Sequence, residues 1–196
     1  MILLGLDIST NVGWALYDLD KPLSAIETGF FKCAGDSDFE KAGSLHTLLA
    51  GLIRRLQRDG KTPDLAVFEA PLDFIPRFEK KRKDLGGTVE ETTTINPKTI
   101  GLLHGLARTA QAVLRGYKIR HMEVRPQTWQ TIIPRSLKQS IQGDKATKRR
   151  AERTCDMLRI VATNEHKRDA ALIAVWASGS QQVKMMQHDA ARAGAA

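Results

Sequence analysis

The spacing of apolar residues along the chain predicts a mixed α/β fold. Short apolar runs bounded by turn residues are typical of strands, and longer stretches with apolar residues three or four positions apart are typical of amphipathic helices. The predicted strands cover residues 2–7, 14–19, 26–33, 65–68 and 118–124. The predicted helices cover residues 39–58, 97–115, 147–160 and 166–178. This order predicts a five-stranded mixed β-sheet flanked by α-helices, in which the first three strands form an antiparallel meander.

Three segments depart from this pattern. Residues 72–95 combine basic residues and phenylalanines with a Gly-Gly pair and a Thr-rich stretch, which predicts a long loop or flap. Residues 125–144 show no regular spacing and are expected to be irregular. Residues 181–196 are rich in Ala, Gln and Met and are expected to form a flexible tail after the last ordered helix. The prediction is therefore one domain over residues 1–180, carrying a basic flap, and a short tail.

The charge balance favours a polyanionic partner. Thirty Lys and Arg residues against 22 Asp and Glu residues give a formal charge of +8 in a chain of 196 residues, and the neutralisation of phosphates by such residues releases counterions from nucleic acid. No apolar run is long enough to span a bilayer, and the first residues do not resemble a signal peptide. The two cysteines, Cys33 and Cys155, lie far apart. These features together predict a cytoplasmic protein without membrane contact.

Four residues are candidates for a metal site. Asp7 ends the first predicted strand, Glu69 ends the fourth, and Asp169 lies in the first turn of the last predicted helix. His166 lies three positions before Asp169 and therefore on the same helical face. Each has a structural alternative: the aspartates and His166 can cap turns or helix ends, and Glu69 can be an exposed strand end. If the first and fourth strands pair, however, the first two carboxylates meet at one edge of the sheet.

The candidate ligands suit Mg²⁺, because that ion prefers carboxylate oxygens and retains water molecules that can act as nucleophiles. Two such ions roughly 3.5–4 Å apart can hold the attacking and leaving oxygens of a phosphodiester. The residues therefore predict phosphodiester hydrolysis with two Mg²⁺ ions, for which Mn²⁺ is expected to substitute.

Three motifs resemble the RuvC-type Holliday-junction resolvases, and their order and spacing are preserved over most of residues 1–178. They are residues 5–15 (GLDISTNVGWA), 68–71 (FEAP) and 166–174 (HKRDAALIA). The resemblance implies an RNase H-like fold and the catalytic, metal-binding set Asp7, Glu69, His166 and Asp169. It also implies a homodimer that resolves four-way DNA junctions by paired symmetric nicks. A branch-migration motor as a further partner is left open.

The sequence departs from the family at the position three residues after Glu69. The family typically has an aromatic residue there, whereas this chain has Leu72, so Phe74 or Phe78 would have to contact the junction. Residues 125–129 resemble the family's strand-end proline segment, and Lys145 or Lys148 its later basic position. The predicted DNA-binding residues are, in the flap, Phe74, Arg77, Phe78, Lys80, Lys81, Arg82 and Lys83, and, in a second basic patch, Lys145, Lys148 and Arg149.

Several alternatives remain open at this point. A phage-style debranching nuclease of looser specificity and an RNase H-like nuclease of RNA–DNA hybrids would use the same carboxylates. A junction-binding protein without activity would use only the basic residues. The first motif also resembles the phosphate-binding hairpin of the actin, Hsp70 and sugar kinase superfamily. That class needs two such domains and a second Gly-rich loop, which a chain of 196 residues does not provide.

Overall fold

The protein is described from a computed structural model that covers residues 1–71 and 96–194 in full and residues 77–84 and 87–94 by their backbone. The strands are β1 (Ile2–Asp7), β2 (Asn11–Asp18), β3 (Glu27–Lys32), β4 (Leu65–Glu69), β5 (Arg77–Asp84), β6 (Gly87–Thr94) and β7 (Arg120–Val124). The α-helices are α1 (Asp38–Arg58), α2 (Pro97–Gly116), α3 (Pro126–Trp129), α4 (Arg135–Ser140), α5 (Ala146–Met157), α6 (Glu165–Ser178) and α7 (Gln181–Gly194).

The central sheet has five strands in the order β3-β2-β1-β4-β7. Its first three strands are antiparallel, whereas β4 pairs in parallel with both β1 and β7. The predicted mixed sheet and meander are therefore confirmed. Because Leu6 pairs with Phe68 in the parallel register, Asp7 and Glu69 follow at the same edge of the sheet.

One face of the sheet is covered by α1 and α2, which pack on each other and on a core rich in leucine. Helix α1 begins with a capping box, in which the Ser37 hydroxyl accepts from the backbone N–H of Glu40 and the Glu40 carboxylate accepts from that of Ser37. Helix α2 begins after Asn96, whose side-chain oxygen accepts from the backbone N–H of Lys98, and has Pro97 at its first position. These two helices supply most of the large buried side chains on this face.

The opposite face is covered by α6, which packs on β1 and β2 at short range. Its buried face consists mostly of alanine, and the strands below it carry glycine at two positions. A Cβ atom added at Gly5 would lie 2.2 Å from the carbonyl oxygen of Ala170, and one added at Gly13 would lie 1.9 Å from that of His166. Both glycines are therefore required for the close approach of α6 to the sheet.

The structure corrects three of the sequence predictions. The flap contains a two-stranded antiparallel hairpin, β5 and β6, which are joined by two residues of the chain. The segment expected to be irregular contains α3 and α4. Helix α7 follows the helix that was expected to be the last. Its Val183 is fully buried in the apolar core on the α6 side of the sheet. The hairpin strands are strongly charged and α3 and α4 are short, so they lack the apolar periodicity on which the predictions relied, whereas α7 is mostly polar or small and resembled a tail in composition.

No helix among the described residues is both long and apolar enough to cross a membrane.

Candidate active site

The candidate site lies at the edge of the sheet where β1 and β4 end. Asp7 is the last residue of β1 and Glu69 is the last residue of β4. Both line a cavity of about 270 Å³, together with residues of α2 and the start of α3. The convergence predicted from the strand ends is thus present in the structure.

The first turn of α6 brings His166 and Asp169 to the same edge. The helix begins after Asn164, whose side-chain oxygen accepts from the backbone N–H of Lys167. Gly13 pairs with Asp7 in the sheet, and the backbone of His166 passes directly over it. The position of the His166 side chain therefore follows from the close contact of α6 with β2.

Asp7 and His166 form a direct side-chain contact, with 2.6 Å between Asp7 Oδ2 and His166 Nδ1. On its other side, the imidazole ring stacks on Phe30 of β3, with 5.8 Å between the ring centroids and 28° between their planes. Glu165 lies 3.8 Å from His166 Nε2 and forms an ion pair with Lys148. His166 is thus held in place by a carboxylate and an aromatic ring.

Glu69 is held by a residue that the sequence analysis did not assign to the site. The indole N–H of Trp129 donates to Glu69 Oε2 over 2.7 Å, and Trp129 itself is almost completely buried. Trp129 lies in α3, in the segment that was expected to be irregular. Because its ring is fixed by packing, this hydrogen bond fixes the orientation of the Glu69 carboxyl group.

The carboxyl groups at the site repel one another electrostatically. Burial raises the pKa of Asp169 to about 7, with a further contribution from the charges of Asp7 and Glu69. Burial also raises the pKa of Glu69 to about 7, a rise that the Trp129 hydrogen bond opposes and the Asp7 charge adds to. The hydrogen bond to Asp7 raises the pKa of His166 above its ordinary value. The arrangement concentrates negative charge at a partly buried point of the molecule.

Within residues 1–71 and 96–194, no three His, Cys, Asp or Glu side chains already converge as the ligands of one metal ion. Three of the four candidates are already engaged, since Asp7 and His166 contact each other and Glu69 accepts from Trp129. Metal binding at this edge would therefore require some of these side chains to turn toward the ion.

A second cavity, of about 530 Å³, opens beside His166. It is lined by Phe30 and by all three residues of the second basic patch that were predicted to bind DNA, namely Lys145, Lys148 and Arg149. Two of these cations, Lys145 and Arg149, are exposed and have no ion-pair partner among the described residues. The neighbouring Arg150 is different, because its guanidinium donates to the carbonyl oxygens of Lys138 and Ile141 and so stabilises the α4–α5 connection.

The predicted flap contacts lie outside the described residues or side chains. Phe74 falls between the described ranges, and the backbone of the hairpin is described without its side chains. These DNA contacts remain predictions. They are, in addition to Phe74, the residues Arg77, Phe78, Lys80, Lys81, Arg82 and Lys83.

Comparisons by sequence find neither a matching protein-family model nor a similar curated protein. Comparison of structures does find similar folds. The structure of T. thermophilus RuvC in complex with a Holliday junction substrate is 10% identical in sequence, with a TM-score of 0.59, over 90% of this chain and 91% of that one. A second Thermus thermophilus RuvC structure is 12% identical, with a TM-score of 0.54, over 90% of this chain and 92% of that one. The chain therefore has the RNase H-like fold of RuvC, as its motifs predicted.

Two residues at the site, Phe30 and Trp129, were missed by sequence reasoning. Trp129 is separated from Glu69 by 60 positions, and no local pattern pairs an indole with a distant carboxylate. Phe30 lies on an edge strand, and its apolar character was attributed to the strand itself. One signal was available for it: in strand alternation, Phe30 falls on the same side of β3 as the polar residues Thr28 and Lys32.

Proposed function

We propose that this chain is a Mg²⁺-dependent, structure-selective DNA endonuclease that resolves four-way junctions by paired nicks. The observation that carries the proposal is the convergence of Asp7, Glu69, Asp169 and His166 at the carboxyl edge of the sheet in a RuvC-like fold. Glu69 and Asp169 both have pKa values raised by burial and by neighbouring carboxyl charges, a combination that is common at functional sites. A cavity with cationic residues next to this edge suits the phosphates of a nucleic acid.

The donor set fits Mg²⁺. Asp7, Glu69 and Asp169 offer hard carboxylate oxygens, and His166 offers an imidazole nitrogen as a further ligand. Two bound ions would supply a water-derived nucleophile and neutralise the charge that develops on the phosphate. The proposal assigns all four residues as ligands, and we expect Mn²⁺ to substitute for Mg²⁺.

Other residues of the chain position these ligands. Trp129 directs one oxygen of Glu69, and Phe30 limits the rotation of the His166 ring. Lys145 and Arg149 are free to contact phosphates of the bound strand, whereas Lys148 would have to leave Glu165 to do so. DNA affinity is then supplied mainly by the cations, and cleavage mainly by the carboxylates.

The preference for branched DNA is supported by the similarity in fold to a RuvC structure that contains a Holliday junction. The sequence adds a second argument, because the hairpin follows directly after β4 and its Glu69. The hairpin residues contain five basic and four acidic side chains, so the hairpin carries charges of both signs and is not uniformly positive. We expect the hairpin to lie against the DNA at the branch point. The aromatic contact is then made by Phe78 in the hairpin or by Phe74 just before it.

Paired nicks require two active sites, and a two-fold symmetric homodimer provides them. The apolar pattern of residues 97–115, including Leu102 and Ala112, makes helix α2 the candidate interface. Its inner face covers the sheet of its own subunit, and Leu102 packs there, while Ala112 is exposed on the outer face. We therefore propose the outer face of α2 as the contact and expect sedimentation at micromolar concentration to show a dimer.

The test is cleavage of end-labelled four-way junction, fork, duplex and RNA–DNA hybrid substrates, with and without Mg²⁺. We expect Mg²⁺-dependent nicks at symmetric positions in two strands of the junction and little cleavage of duplex. Preferential cutting of the hybrid would instead support an RNase H-like activity, and equal cutting of all branched substrates would support a debranching nuclease. Tight junction binding without cleavage in Mg²⁺ or Mn²⁺ would contradict the proposal.

A further inference from the structure

Phe30 is an exposed aromatic residue at the entrance to the candidate active site. It lies on β3, the edge strand of the sheet, and 41% of its surface is exposed although it stacks on His166. One face of its ring is covered by His166, and the exposed part lies next to the candidate nuclease site, where an aromatic ring can stack on a base.

The cavity beside Phe30 contains further groups that suit a nucleotide. Lys145, Lys148 and Arg149 line it, and Asn11 adds an amide group at the start of β2. Three carboxylates also line it, of which Glu165 is paired with Lys148 and Glu152 with Arg168, while the third is Asp144. The cavity thus combines an aromatic face with cations, two of them unpaired among the described residues, within a volume of about 530 Å³. These are the elements that proteins use to bind single-stranded nucleotides, in which the base stacks and the phosphate contacts a cation.

We propose that this cavity is a nucleotide-binding subsite, in which Phe30 stacks on one base of the cut strand next to the scissile phosphate. The statement that the bound strand is the strand being cut rests on the proposed function. The occupant is an unpaired nucleotide, because a base within an intact duplex has both faces covered by its neighbours. Lys145 and Arg149 contact its phosphate, since neither is engaged in an ion pair among the described residues.

The subsite gives a physical reason for selectivity toward branched DNA. A base next to a branch point costs less to unstack than one inside a duplex, so a site that needs an unpaired base selects for branches. The stack of Phe30 on His166 also links the bound base to the catalytic cluster, because His166 contacts Asp7. Phe30 would then position the strand as well as bind it.

The experiment places the fluorescent base 2-aminopurine at successive nucleotides around the branch point of a four-way junction, with Mg²⁺ omitted so that no strand is cut. Wild-type protein is compared with Phe30→Ala, and Phe39→Ala serves as the matched control. Phe39 is an almost fully exposed phenylalanine in the first turn of α1, and it lines neither cavity of the site. Thermal melting shows whether each variant is folded.

We expect the fluorescence of one nucleotide to change on binding of wild-type and Phe39→Ala protein, and this change to be lost in Phe30→Ala. We also expect Phe30→Ala to weaken junction binding roughly 5- to 100-fold, the range found when a stacking aromatic is removed. An abasic site at the responding nucleotide should make wild type and Phe30→Ala bind equally. The same fluorescence pattern in Phe30→Ala as in wild type would overturn the subsite.

Cleavage in Mg²⁺ is measured separately, so the two proposals can fail independently. A junction that is cut by Phe30→Ala at the wild-type rate, with an unchanged fluorescence pattern, would disprove the subsite and leave the nuclease assignment intact. Conversely, a base signal that depends on Phe30, in a protein that cuts no substrate, would support the subsite and contradict the proposed activity.

Discussion

The two faces of the central sheet are covered by helices of contrasting composition. On one face, α1 and α2 bury mainly leucine and other large side chains. On the other, α6 buries four alanines and lies directly over Gly5 and Gly13 of the sheet. On the first face, large side chains fill the space between the helices and the sheet. On the second, the backbone of α6 lies directly against the backbone of the strands. We conclude that the first face mainly supplies stability and the second positions the candidate site.

The largest effect is expected from the carboxylates on the α6 side. Asp7→Asn, Glu69→Gln and Asp169→Asn should each lower the rate of junction cleavage by roughly 10³-fold or more. Each variant removes a charged metal ligand, and metal-assisted catalysis lowers the activation free energy by several kcal/mol. Junction affinity should persist or increase, since cations supply it. His166→Ala should reduce cleavage less, as a neutral ring carries no charge. Single-turnover cleavage and equilibrium binding measure the two effects.

The control is Asp20→Asn, which changes an exposed carboxylate near the opposite edge of the sheet. It should cut junctions at the wild-type rate. Near-normal cleavage by any one of the carboxylate variants would exclude that residue from the site.

Substitutions in the leucine-rich face should lower stability and leave the cleavage rate almost unchanged. Leu49→Ala, in the buried face of α1, should lower the free energy of unfolding by about 2–5 kcal/mol, through lost transfer energy and a residual cavity. The cleavage rate per folded molecule should stay close to wild type. Urea denaturation and cleavage below the unfolding transition provide the measurement. A large loss of rate in folded Leu49→Ala would show that the two faces are not separable in this way.

The burial of the carboxyl groups, together with their mutual repulsion, predicts how stability depends on pH. The pKa values of Glu69 and Asp169 are raised to about 7 in the folded protein, above their ordinary values. The folded state therefore binds more protons than the unfolded state between about pH 4 and 7, and the stability of metal-free protein should fall as pH rises through this window. At about 1.4 kcal/mol per pKa unit, the two raised values together correspond to a change on the order of 5–8 kcal/mol.

Thermal melting in a chelating buffer measures this dependence. Asp169→Asn should flatten the decline and be more stable than wild type at pH 8, because it removes one of the repelling charges. Added Mg²⁺ should raise the melting temperature more at pH 8 than at pH 5, where protons compete for the ligands. Stability that rises from pH 4 to 7 and is unaffected by Asp169→Asn would contradict the electrostatic account.

The smallest expected effect tests the close contact of α6 with β2. An added methyl group at Gly13 would overlap the backbone of His166, so Gly13→Ala should cost about 1–3 kcal/mol in stability and also reduce cleavage by displacing that residue. The matched control is Gly51→Ala in α1, where an added Cβ has no neighbour within 4 Å. It should instead raise stability by about 0.5–1 kcal/mol. Equal behaviour of the two variants would refute the role of close packing.

The same contrast explains what the sequence could and could not predict. The strand ends at Asp7 and Glu69 and the helices of both faces are encoded in local apolar patterns, and the sheet order follows from general rules of connection. The contacts of Trp129 and Phe30 with the site depend on elements brought together by folding, and nothing near them in the chain indicates them. The strands of the hairpin carry so many charges that their alternation is hidden.

Helix α7 was missed for a related reason. Its residues are mostly polar or small, and only Val183 is fully buried, so the segment resembled a tail in composition. A single buried contact is too weak a periodic signal to predict a helix. The motif resemblance did predict the RNase H-like fold, which composition alone did not. It combined residues from three elements that the fold brings to one edge of the sheet.

The most direct test of the central claim is metal binding by the purified protein without DNA. Electron paramagnetic resonance of Mn²⁺ gives the free ion concentration, and hence the number and affinity of bound ions, for wild type and Asp169→Asn. The account predicts up to two Mn²⁺ ions bound by wild type, displaced by excess Mg²⁺, and an affinity at least about tenfold lower in the variant, since a charged ligand is lost. Equal Mn²⁺ binding by the two proteins, or none by either at millimolar Mn²⁺, would contradict it.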